Sequence, residues 1–279
     1  MIEKVNPSHP DKVADRIAGA IVDLAYNKQD NPKVAVEVLI GHKCCTVIIE
    51  SSINFKAKEI QNIIDRIAGE GIKLKLISVP QDKELSANQD RNIKCGDNGI
   101  FLGLPLKQED QILSDIARNI YERYPSDGKY LIGTDGKLII CQSNMPNNGV
   151  DSIVSNFNGE TIINPLGFWT GGTDVDSGAT NRKLGSDMGH SVTGGGLHGK
   201  DFSKADVSCN IYAFCKAQEL GKKVEMSCGI GDETVTMRTY VLGTLHNTKR
   251  IPYSEIVEFA EKYINKVGGF EKFAEWGLF

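Results

Sequence analysis

The residues best suited to chemistry fall in short clusters that share an affinity for phosphate. Ser8-His9-Pro10-Asp11-Lys12 sets an imidazole, a carboxylate and an ammonium at the start of an amphipathic run. The free N–H groups and positive dipole end of a helix favour an anion there, although the cluster alone reads equally well as an ordinary capped helix. Gly194-Gly195-Gly196-Leu197-His198-Gly199-Lys200-Asp201 nearly repeats the Walker A pattern. It fails at the last position, where Asp201 replaces the magnesium-binding hydroxyl, and no clean buried strand precedes it, so a P-loop nucleotidase is excluded. A glycine loop offering N–H groups, followed by lysine, still suits a polyphosphate. Lys204 lies four residues beyond Lys200 on the same helical side, and Asp206 follows. The three read as two triphosphate clamps and a magnesium ligand. Asp176-Ser177-Gly178 leads into Arg182-Lys183, as at a phosphate site, and Gly96-Asp97-Asn98-Gly99 reads by itself as a turn.

Helices and strands must carry these clusters. Val13, Ile17, Ile21 and Leu24 predict a helix over Pro10–Asn27, with Ser8 or His9 as cap. Alternation predicts strands over Lys33–Ile40 and Lys43–Glu50, then a helix over Ala57–Ala68 and a strand over Ile72–Val79. Pro80–Lys94 is polar and aperiodic and reads as a functional loop. A strand over Ile100–Leu104, a helix over Gln108–Tyr124 and a strand pair over Lys129–Gln142 turning at Asp135-Gly136 make a middle section. Met145–Asn158 reads as a polar linker before a strand over Gly159–Ile163. Glycines then crowd Asn164–Lys204, as close approach of backbone to a ligand requires. A helix over Ser203–Leu220, strands over Lys223–Ile230 and Thr234–Leu242 and a helix over Ser254–Val267 repeat the opening order. Three related α+β units result: 1–94, a trimmed 95–158, and 159–279.

The chain of 279 residues carries 40% hydrophobic and 24% charged residues and a net charge of −4. A real core follows, and no basic face marks a nucleic-acid reader. Seven cysteines without a C-x-x-C pair argue against a zinc ribbon. With no apolar leader and no run of membrane-spanning length, they read as reduced thiols, mostly core filler, in the cytoplasm.

In order from Ser8 to Gly231, these clusters resemble the signatures of the S-adenosylmethionine synthetase family. Ser8–Lys12 resembles its GHPDK box and Gly96–Gly99 its GDQG box. Asn164–Gly172, Asp176–Gly178 and Asn181–Lys183 resemble its NPTGRF…GG…DxG…GRK run, and Gly194–Asp206 its long GGGAFSGKDPSKVD signature. The resemblance implies a methionine adenosyltransferase that joins ATP and L-methionine with two Mg²⁺ and K⁺. His9 would bond the triphosphate, and Lys12, Arg182, Lys183, Lys200 and Lys204 would neutralise it. Asp11 and Asp206 would hold magnesium and Glu37 potassium. Glu50, Gln81, Asp97, Asp176 and Lys204 would contact methionine. Asp135 and Lys137 resemble the family's D-x-K nucleotide pair, and Phe168 or Trp169 would stack on adenine. Departures include Ser8, Asn98, Phe202, Val207 and Val192-Thr193, a recast loop over 80–94, and a shorter middle unit and C-terminal end.

The residue chemistry agrees with that implication. A thioether sulfur has no proton to lose, so its attack on C5′ of ATP needs no general base. It needs alignment and stabilisation of the leaving triphosphate. By resemblance the fold is α+β, three units about a pseudo-threefold axis, in a homodimer packed sheet to sheet with active sites at the interface. The rival readings are a triphosphate or nucleotide hydrolase using the same magnesium–lysine site, and a non-catalytic nucleotide-binding paralogue.

Overall fold

The computed structural model describes residues 1–82, 93–146, 149–155, 157–191 and 195–279. The loop expected over Pro80–Lys94 lies largely outside those residues, as do Val192, Thr193 and Gly194. The chain opens with β1 (Ile2–Val5), α1 (Pro10–Lys28), the hairpin β2 (Val34–Gly41) and β3 (Cys44–Ser51), α2 (Ala57–Ala68) and β4 (Lys73–Pro80). Next come β5 (Gly99–Gly103), α3 (Gln108–Arg123), the hairpin β6 (Gly128–Ile132) and β7 (Leu138–Gln142), α4 (Asp151–Val154) and β8 (Thr161–Ile163). The last part holds β9 (Gly178–Ala179), α5 (Leu184–Met188), α6 (Ala205–Leu220), β10 (Lys223–Cys228), β11 (Thr234–Val241), β12 (Thr244–Pro252), α7 (Tyr253–Val267) and α8 (Phe270–Trp276).

The strands form three four-stranded sheets, ordered β4-β3-β2-β9, β1-β6-β7-β8 and β12-β11-β10-β5. The first two share one pairing pattern, a parallel outer pair (β3 with β4, β7 with β8) followed by two antiparallel joints. The third is antiparallel throughout. The sheets trade strands along the chain. β1 pairs with β6, Ile2 opposite Ile132. β5, read above as part of the middle section, pairs with β10, Gly103 opposite Val224.

Two cores result. One joins the first and third sheets through α1 and α6, and the other places α3 on the second sheet around Tyr130 and Leu138. Ile17 and Ile21 of α1 are fully buried, each worth roughly 1.5–3 kcal/mol. The N-terminal halves of both α1 and α6 are also buried where they are charged, at Asp11, Lys12, Asp15 and Asp206. Charged side chains in such positions need partners, and those partners make the site.

Four expectations change. β1 precedes the first element expected from the sequence, and its Lys4 is fully buried, donating to the carbonyls of Ser186 at 2.7 Å, Trp276 at 2.9 Å and Phe279. The polar linker over Met145–Asn158 buries Met145 and Val150 against the second core and contains α4. β12 had no counterpart in the reading because Thr244–Arg250 is exposed throughout and shows no alternation. α8 was not foreseen either. It packs on α1 at Gly19, where a Cβ would stand 2.6 Å from the Phe270 carbonyl oxygen.

Candidate active site

The first group gathers at the start of α1. His9 is the cap, its Nδ1 accepting the Asp11 N–H at 3.2 Å, and Pro10 fills the first helical position. Burial presses the His9 imidazole down to about 4, helped by Lys183 and Lys129 and opposed by Asp11 and Asp176, so the ring is neutral at pH 7. Asp11, 1% exposed, accepts the Ala179 N–H at 2.9 Å and Lys183 Nζ at 2.7 Å, and Arg182 Nε lies 3.5 Å away. β9 can approach this closely only because residue 178 is glycine. A Cβ there would stand 2.0 Å from the Pro10 carbonyl.

Lys12 points the other way. It is fully buried, with Nζ 3.1 Å from Asp15 Oδ2, 2.5 Å from Asp187 Oδ1 and 3.3 Å from His198 Nε2. Two carboxylates hold the ammonium and the side chain is fully enclosed, so it does not reach out to a phosphate. Among the described residues, Asp15, Asp187 and His198 are the one group of three spaced to hold a metal ion, but the Lys12 ammonium already occupies that position as the cation. Asp15 also accepts the Asn181 N–H at 2.8 Å, and Asn181 Oδ1 accepts the N–H groups of Leu197 and His198, both at 2.9 Å. At those two positions the glycine loop is spoken for internally and does not present N–H groups to an anion, contrary to the sequence reading.

The second group surrounds the start of α6. Lys200 bonds Asp206 Oδ2, while Asp206 Oδ1 is buried with no partner among the described residues. A buried carboxylate oxygen without a donor is costly unless a cation completes it, so this residue fits a magnesium ion. Lys204 Nζ lies 3.2 Å from Asp201 Oδ2. A cavity of about 340 Å³ opens between Glu37, Glu50, Asp97, Lys200 and Lys204. Strand β9 ties the two groups together. Thr180, the next residue, accepts the Val38 N–H at 3.3 Å and donates to Glu37, while Ala179 holds Asp11.

Residues 1–76 match the model of the S-adenosylmethionine synthetase N-terminal domain. Over 91% of this chain and 82% of theirs, S-adenosylmethionine synthases of Helicobacter pylori (strain Shi470) and Helicobacter acinonychis (strain Sheeba) are 24% and 25% identical. A solved structure described as an unusual S-adenosylmethionine synthetase from Campylobacter jejuni shares the fold, with a TM-score of 0.73 at 18% identity, covering 100% of this chain and 94% of that one. The chain is thus similar to S-adenosylmethionine synthases over most of its length, and its first 76 residues match their N-terminal domain.

Not every position expected from the family signatures joins the site. Asp135 and Lys137 sit on the exposed β6–β7 turn, where Lys137 pairs with Glu160 at 3.1 Å and lies 3.8 Å from Asp135. An earlier D-x-K with the same spacing, Asp127-Gly128-Lys129, faces the first group instead. Asp127 accepts the Gly172 N–H at 2.9 Å, and its charge is felt alongside those of Asp176 and Asp11. Sequence reasoning passed over it, although the repeated spacing was visible. Phe168 is 64% exposed, whereas Trp169 is tied to Asn164 Oδ1 at 3.3 Å. Asp176 accepts the Ser177 N–H at 2.7 Å, and Gln81 keeps a buried Oε1 without a partner among the described residues.

Burial pushes the Asp127 carboxyl up to about 6, opposed by the Gly172 N–H and reinforced by Asp176 and Asp11. A raised carboxyl costs stability as pH climbs from its unfolded value near 4 through 6. Asp127→Asn is therefore expected to be more stable than the parent at pH 7, by at most about 3 kcal/mol, and equal to it near pH 4. Denaturant titrations at the two pH values check this, and a gap independent of pH would refute the assignment.

Proposed function

We propose that the protein is a methionine adenosyltransferase. The methionine sulfur attacks C5′ of ATP, giving S-adenosylmethionine and triphosphate, which is then hydrolysed to phosphate and diphosphate. The observation that carries this reading is the pairing of two cation–carboxylate groups through β9, with Asp206 Oδ1 left unsatisfied among the described residues. Asp11 and Asp206 would hold Mg²⁺, which when bound neutralises charge on the leaving triphosphate. Arg182, Lys183, Lys200 and Lys204 surround the same charge. Neutral His9 offers a hydrogen bond to the oxygen that leaves C5′, where stabilisation is most effective. Phe168, exposed, is placed in the role of stacking on adenine, and Asp127 with Lys129 takes the nucleotide role first read at Asp135 and Lys137.

For methionine, Glu50 and Asp97 supply carboxylates for the ammonium and Lys204 a cation for the carboxylate, with Gln81 and Asp176 as further contacts. Glu37, already bonded to Thr180, is the proposed K⁺ ligand. The outer face of the first sheet exposes Leu39, Ile48, Ile77 and Val79 beside Glu37 and Glu50. We assign it to a homodimer interface that brings two such cavities together. No helix among the described residues is long and apolar enough to cross a membrane, and we place the reaction in the cytoplasm.

The test is incubation with ATP, methionine, Mg²⁺ and K⁺, with product identified by mass spectrometry. S-Adenosylmethionine is expected, with phosphate release that requires methionine. Release without methionine would favour the hydrolase reading. Neither product from a folded protein would remove both.

A further inference from the structure

Three of the seven cysteines converge at one place that the proposed reaction does not use. Cys95 precedes the Gly96-Asp97 loop, Cys209 lies on α6 and Cys228 ends β10. The side chains of Cys95 and Cys209 both neighbour Cys228, which lies opposite Gly99 in the β5–β10 pair, while Gly231 donates to the Cys95 carbonyl at 2.8 Å. Cys228 in turn contacts the Asp97 carbonyl oxygen at 3.7 Å. Cys95 and Cys209 are buried, whereas Cys228 is half-buried. It lines an open cavity of about 520 Å³ with Asn98, Gly99 and Asp232, on the third sheet. One sulfur of the three can thus be reached from solvent, and two thiols stand within reach of it. The neighbouring Cys209 and Cys95 side chains also make Cys228 the most acidic of the three, against burial and the nearby Asp232 and Asp97 carboxylates.

We propose that Cys228 is a hydroperoxide-sensitive modification site that resolves onto Cys95 as a disulfide and thereby moves Asp97. The Cys228 sulfur attacks the peroxide O–O bond, becoming a sulfenic acid while the hydroperoxide is reduced to an alcohol, or to water when it is H₂O₂. The Cys95 thiol then attacks that sulfur, forming S–S and expelling water, so that two thiols supply the two electrons. Cys95 is the partner because it lies in a loop, held by backbone bonds to Asp232 at 2.9 Å and Gly231 at 2.8 Å. Cys209 is fixed on a helix whose surroundings are fully packed. Closing the disulfide draws in the residue two positions before Asp97 and removes the S–H that contacts its carbonyl. Asp97 lines the cavity with Glu50 and Lys204.

The effect on methionine rests on the proposed function; the thiol chemistry does not. The full chain is treated with one equivalent of H₂O₂, and free thiols are counted before and after. A fall from seven to five is expected, with a Cys95–Cys228 peptide in a non-reducing digest and restoration by dithiothreitol. Cys228→Ser should keep its remaining six thiols under the same dose. Methionine affinity, read by calorimetry with a non-hydrolysable ATP analogue, should fall about tenfold, the loss of one hydrogen bond to a charged group. Equal thiol loss in Cys228→Ser, or a cross-link that omits Cys95, overturns the site. A correct cross-link with unchanged methionine affinity overturns the control of Asp97 alone. A protein that makes the cross-link but never forms S-adenosylmethionine sinks the function and leaves the site standing.

Discussion

Lys200→Ala is expected to lower S-adenosylmethionine formation on the order of 10²–10³-fold, the usual cost of removing a group that meets developing charge. It should also cost stability, which a purely surface lysine would not. Asp206 is 3% exposed, and Lys200 is the partner of its Oδ2, while Oδ1 has none among the described residues. Removing the ammonium strands a buried carboxylate. Breaking such pairs costs about 3–5 kcal/mol when both partners are fully buried. With the Lys200 side chain 21% exposed, solvent takes up part of the loss and roughly 1–3 kcal/mol is the expected range. The double variant Lys200→Ala/Asp206→Asn separates the two effects. It removes the stranded charge and should recover most of the stability while remaining inactive. Denaturant unfolding and product mass spectrometry on the three proteins decide it, and wild-type product formation by Lys200→Ala would refute the assigned role.

Lys12→Met is expected to have the largest effect on stability, about 3–5 kcal/mol and on the order of 10 °C in melting temperature. Its ammonium is the cation between Asp15 and Asp187, all three side chains being 0% exposed. Burial alone would raise the Asp187 carboxyl, but Lys12 and His198 outweigh it and hold the group well below the ordinary carboxylate range. A depressed carboxyl stabilises the fold above the unfolded value near 4 and loses that contribution as pH falls below it. Once Lys12 is gone the contribution is gone, so variant and parent should differ most at pH 7 and converge only as pH falls through the depressed value, well below 4. Unfolding curves at about pH 2 and 7 test the sign. A variant as stable as the parent at pH 7 but weaker for ATP would return Lys12 to the triphosphate.

Residue types and spacings were enough to single out most of the residues in the proposed site. His9, Asp11, Arg182, Lys183, Lys200 and Asp206 lie in signatures whose order along the chain is specific, and α1, α2 and α3 follow from apolar periodicity close to their observed ends. Local patterns of this kind are written within a few residues, so they can be read without the fold. What failed was non-local. β1 finds its partner β6 more than a hundred residues away, and β5 leaves the middle section for β10. Nothing in the hydropathy of either strand records that choice.

The same limit governs the charged residues. Lys4 belongs to no expected element and Lys12 reads as a triphosphate ligand, and only tertiary packing shows them enclosed, one by carbonyls and one by carboxylates. Two D-x-K triplets eight residues apart are equivalent as text, yet the β6–β7 turn carries one to solvent, and the start of β6 brings the other to Gly172. The sequence by itself determined which charges the protein possesses for the triphosphate that we propose it binds. The tertiary structure decided which of them face it, because a charge buried in the fold must be matched there and is no longer available to a ligand.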